Sequence, residues 1–191
     1  MRSLRYLLCF GLLLFLFASG HTSNASDDQK SAVSPQPLIV RDRVQLNLAG
    51  AELILTAAKQ KAAQMGWKMN IAVVDDGGHL LAFARMDGAR PASVSTALTK
   101  AVTAATFRQE TAPLPPKGEP DVLLNLSLQN AAQASGGKLT TLKGGVPVIV
   151  DGQVIGAAGV GGGTGEQDAE VAKAGIQVFQ DRLNSRPAPS N

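Results

Sequence analysis

The chain has 191 residues, a formal net charge of +3 and an aromatic share of 4%. Its one cysteine, Cys9, and its one tyrosine, Tyr6, stand near the N-terminus, so disulfides, thiolate metal sites and cysteine nucleophiles are excluded from the rest of the chain. Without Arg2 and Arg5 the charge is close to neutral, and the later aromatics are only Trp67, Phe83, Phe107 and Phe179, which argues against a nucleic-acid partner.

Arg2 and Arg5 precede an apolar stretch from Leu7 to Ala18, and small residues follow it. That layout reads as a secretory signal peptide over residues 1–25, cut after Gly20 or after Ala25. The alternative is a retained anchor, but the stretch falls short of the roughly 20 residues a bilayer span needs. Export implies a periplasmic or secreted protein with no membrane part after cleavage. Cleavage after Ala25 leaves His79 as the only histidine, whereas cleavage after Gly20 also leaves His21. Residues 26–42 are polar and proline-bearing and read as a flexible linker. The folded domain is expected over 43–183, followed by a disordered tail over 184–191.

Leu48, Ala51, Leu55, Ala58, Ala62 and Met65 recur at steps of three and four, which predicts one buried helical face ended by Gly66. Met69–Asp75 and His79–Met86 read as strands joined by Asp76, Gly77 and Gly78 into a hairpin. Pro91 opens a second helix running to Gln109. Its buried face is predicted as Val94, Leu98, Ala101, Val102 and Ala105, with Thr96, Lys100, Thr103 and Phe107 on the other side. The four prolines of 111–120 exclude regular structure there. A short helix is expected over Val122–Ala134 and a short strand over Leu139–Leu142.

Asp151-Gly152 then separates two β-branched runs, a second hairpin signal. The run after it passes through a glycine-rich bend, Gly159 to Gly165. Thr164 and Gln167 form a capping-box pattern that starts the last helix at Gly165 and carries it to about Leu183. The fold class is α+β, with an antiparallel sheet of about five strands and packed helices.

The bend Gly161, Gly162, Gly163, Thr164 and Gly165 admits two compatible readings. It permits close approach to another backbone, or its amides cradle a carboxylate helped by a cation such as Arg85, Arg90 or Lys100. It is neither a phosphate loop nor a dinucleotide fingerprint, since no Lys-Ser/Thr pair follows and Thr164 takes the third glycine position. Glu166 and Glu170 share a helical face and could hold an exposed metal ion such as iron. Acidic residues at a helix N-terminus also follow from the helix dipole alone. Asp75 and Asp76 read equally as an acid–base pair or as turn residues. No nucleophile elbow is present, and no catalytic set is evident.

The stretch IAVVDDGGHLLAFARMDGA, the alanine-rich helix with Lys100-Ala101, and GGVPVIVDGQVIGAAGVGGGTGEQD together resemble the GlcG/HbpS family, over about Leu48 to Phe179. That family also occurs as the C-terminal domain of PduO-type corrinoid adenosyltransferases. The resemblance implies a profilin-like fold, often as a homo-oligomer. It further implies a haem, iron or corrinoid ligand, haem degradation in members so labelled, or a role as an extracellular partner of a sensor protein. Under it His79 becomes the candidate iron ligand, with the glycine bend and Lys100 receiving a propionate. The other donor types available are Met65, Met69 and Met86. A bis-histidine site needs His79 of a second subunit. The competing readings are a solvent-exposed turn histidine, a non-catalytic accessory module, and a small-carboxylate binder at the glycine bend.

Overall fold

The computed structural model describes residues 43–185. The expected leader over 1–25, the linker up to residue 42 and the tail past Ser185 lie outside the described residues. The first helix, α1, spans Leu48–Gln64. The Asn47 side chain accepts the Gly50 N–H at 2.9 Å and caps it. At the other end Gly66 takes φ +70°. There Trp67 N–H reaches the Ala62 carbonyl at 2.9 Å, and Gly66 N–H reaches that of Ala63 at 3.0 Å, closing the helix as expected.

The remaining elements are β1 (Asn70–Asp75), β2 (Leu80–Arg85), α2 (Ser93–Phe107), α3 (Val122–Ala134), β3 (Gly145–Val150), β4 (Gln153–Gly161) and α4 (Gly165–Asn184). The sheet runs β2-β1-β4-β3 with every neighbour antiparallel. Alternation along β1 sends Ile71 and Val73 to the core shared with α1 and α4. Ala72 and Val74 point to the other face, under α2. The sheet is therefore covered on both sides. Asp151 and Gly152 take φ +49° and +73°, as a two-residue hairpin turn demands.

Among the described residues four strands form, not five. Leu139–Leu142 joins no ladder, because hydroxyl groups take its amides. Thr140 N–H donates to Thr103 Oγ1 at 2.9 Å, and Leu142 N–H donates to Thr140 Oγ1 at 3.1 Å.

The buried faces of two helices also differ from expectation. On α1 the stripe is Ala51, Ile54, Ala58 and Ala62, while Leu48 and Met65 are exposed. On α2 the sheet-facing residues are Ser93, Ala97, Lys100, Ala101, Thr103, Ala104 and Ala105. Val94, Leu98 and Val102 are only half-buried, with Leu98 and Val102 packing at the margin of that cluster. The cause is close approach. A Cβ on Gly159 would run into the Ala97 carbonyl and the Ala101 amide, and one on Gly145 into the Lys100 carbonyl. Only the short side chains of α2 fit against such a surface, so the larger ones rotate outward.

Candidate functional site

The β1–β2 hairpin is organised by one carboxylate. Asp75 Oδ1 accepts the N–H of Gly77 at 2.9 Å and that of His79 at 2.8 Å. Both oxygens of Asp75 lie 3.3 Å from His79 Nδ1. With Nδ1 facing the carboxylate, Nε2 is left toward solvent, and the His79 side chain is 83% exposed. A histidine oriented through its second nitrogen in this way suits a metal ligand. Asp76, the other member of the expected acid pair, turns away to a salt bridge with Arg43. Behind the hairpin, a Cβ built on Gly78 would lie 3.1 Å from Val102 of α2, and Leu80 beside it is exposed. Among the methionines, Met69 is fully buried and Met86 packs on the core, while Met65 is exposed at the end of α1.

The glycine bend is occupied by the chain's own groups. Thr164 and Gln167 form the expected capping box, with Thr164 N–H on Gln167 Oε1 at 2.9 Å and Gln167 N–H on Thr164 Oγ1 at 3.3 Å. Gly163 N–H donates to Asp168 Oδ1 at 3.0 Å. Asp168 Oδ2 receives Lys100 Nζ at 2.6 Å, and the same ammonium reaches the Val160 carbonyl at 2.9 Å. Lys100, expected on the outer face of its helix, is therefore an internal ion-pair partner, with both side chains almost fully buried. An internal carboxylate holds the place that an external anion would take. Gly161 pairs with Asn70 at the end of β4. Gly162 and Gly165 back onto the chain at Lys68 and Lys143.

Glu166 and Glu170 leave toward different lysines. Glu166 lies 3.3 Å from Lys143, and Glu170 lies 2.7 Å from Lys61 on α1. A hydrogen bond from its own backbone N–H, helped by Lys143, holds the Glu166 carboxyl below the ordinary carboxylate range. Among the described residues, no group of three or more His, Cys, Asp or Glu side chains could hold a metal ion. No helix among them is long and apolar enough to cross a membrane.

The hairpin and the bend lie at opposite ends of β1. Asn70 pairs with Gly161, whereas Asp75 pairs with Gly156, so the two features stand about 17 Å apart along the strand. One protomer does not bring His79 together with Gly161–Gly165, Lys100, Glu166 or Glu170. What sequence reasoning missed was Asp75 as the holder of His79. Its signal was present in the Asp-x-x-x-His spacing across a two-glycine turn, where a carboxylate bonds the amides that follow it.

Residues 46–177 match the family described as "Haem degrading protein HbpS-like". Protein GlcG of Escherichia coli K12 is 45% identical over 121 residues, covering 63% of this chain and 84% of that protein. The crystal structure of protein ORFY from Klebsiella pneumoniae superposes with a TM-score of 0.62 at 32% identity, covering 75% of this chain and 98% of that one. A PduOC:haem complex superposes with a TM-score of 0.58 at 25% identity, covering 71% and 95%.

Proposed function

Because the chain belongs to the HbpS-like haem-degrading protein family, we propose that it is an exported haem-binding protein with His79 as a ligand of the iron. The observation that carries this reading is the orientation of the imidazole by Asp75, Nδ1 toward a carboxylate and Nε2 toward solvent. A neutral imidazole nitrogen is a normal haem ligand, and the exposed Leu80 next to His79 is an apolar group that a macrocycle could cover. Haem would supply the iron, and the chain would supply one ligand to it, His79, with its orientation. A bis-histidine iron would need His79 of another copy as its second ligand, which would make a homo-oligomer part of the site.

Two alternatives weigh less or stand beside it. A small carboxylate at the glycine bend would have to displace the bonds that Asp168 and Gln167 already make there. An oligomeric accessory module, with or without a sensor partner, is favoured by α3, whose Val122, Leu123, Leu124 and Leu126 are all exposed. Titrating hemin into the purified protein tests the main reading. A saturable Soret shift is expected, weakened at least about ten-fold in His79→Ala. A Soret band that then decays under dioxygen and a reductant adds degradation to binding. Absence of any saturable shift ends the haem reading.

A further inference from the structure

A cleft of about 610 Å³ opens between the segment before α1, α1 itself, the end of α4 and the β3–β4 hairpin. This is within the size range of small-molecule sites. Its walls are apolar: Leu46, Leu53, Ile155 and Phe179 line it, and Val178 and Leu183 stand exposed at its edge. Gly50 is part of why the space is shaped this way, since a Cβ there would lie 2.9 Å from Leu46 and 3.0 Å from Phe179.

The polar side chains of the lining carry a single charge, and it is positive. They are Gln45, Asn47 and Arg182, with no carboxylate among the lining residues. Asn47 spends its oxygen on the Gly50 N–H, so its amide nitrogen is the group left to donate. Arg182 makes no salt bridge among the described residues, and the neighbouring Asp181 is bonded to Gln177 instead. A guanidinium at the mouth of an apolar cleft complements an anionic head on an apolar tail. His79, Lys100 and the glycine bend do not line this cleft.

We propose that the cleft is a second binding site, for a medium-chain aliphatic carboxylate whose chain lies along Leu53, Ile155 and Phe179 and whose head meets Arg182. The test uses the protein purified after expression of its full-length chain and the fluorescent probe 11-(dansylamino)undecanoate. One saturable site is expected, from which decanoate displaces the probe at least about ten-fold better than decanol does. Arg182→Gln should erase that preference, and Leu183→Asp at the exposed edge should abolish probe binding with an unchanged melting curve. His79→Ala should leave probe binding intact, so this site and the haem reading fail independently. Three results overturn the proposal: no saturable signal, equal displacement by decanoate and decanol, or a signal that appears only when Leu38, Ile39 and Val40 are all changed to serine. The last would mean that the chain's own apolar segment covers the cleft.

Discussion

At the residue scale, Asp75 and Asp168 do related work at the two ends of β1. Each carboxylate accepts backbone N–H groups from a glycine-containing turn and also faces a cationic or protonatable side chain. Asp75 is partly exposed and its partner His79 is open to solvent, so the pair adds little to stability, and under the proposed function its part would be to orient a ligand. Asp75→Asn keeps an oxygen for the Gly77 and His79 amides but removes the charge behind Nδ1. Hemin affinity should fall about ten-fold or more with the melting temperature nearly unchanged; equal affinity would remove Asp75 from the site. Asp168 is buried with Lys100, where a lone charge is costly. Lys100→Met should destabilise the protein by about 3–5 kcal/mol. Lys100→Met with Asp168→Asn should recover much of that loss, because the substituted amide is neutral and retains an oxygen to accept the Gly163 N–H. Urea denaturation of the three proteins measures both effects.

At the element scale, the contact between α2 and β4 decides which side chains remain outside. Gly159 lies so close to Ala97 and Ala101 that there is no room for a methyl group, and the opposing atoms are backbone. Gly159→Ala should therefore cost about 3 kcal/mol and loosen the α2 face, read as a lower urea midpoint and faster amide exchange in α2. A neutral effect would show that the helix can lift without penalty. This contact also marks the limit of what the residues alone disclosed. Hairpin positions, the capping box at Thr164 and the Gly66 stop were legible, because each depends on neighbours within a few residues. The rotated face of α2 was not, since it depends on glycines of β3 and β4 that come much later in the chain. Periodicity placed Ala101 and Ala105 in the interior, where they are, but on size it also favoured Val94, Leu98 and Val102. The sheet selected alanine and the lysine instead. The expected strand at Leu139–Leu142 failed for a similar reason, as the Thr103 hydroxyl from a distant helix took its amide.

At the scale of the whole molecule, α3 is the element the fold uses least. Asp121 caps it through the Leu124 N–H, and Asn125 ties it to Leu114, but only Ala132 is buried. Val122, Leu123, Leu124 and Leu126 together are more than a lone surface helix normally exposes. If self-association uses this helix, Leu123→Glu with Leu126→Lys should shift the protein to monomers in sizing chromatography with light scattering, while its circular dichroism is unchanged. An unaltered assembly size would assign the interface elsewhere. Assembly also bears on haem, because His79 and the glycine bend are separated within one protomer and a shared ligand set requires a second copy.

Ligation of the haem iron by His79 is addressed most directly by resonance Raman spectroscopy of the five-coordinate ferrous complex. The expected result is an iron–histidine stretching band in the wild-type protein, its loss in His79→Ala, and its return when free imidazole is added to that variant. A band that persists in His79→Ala without added imidazole would contradict it.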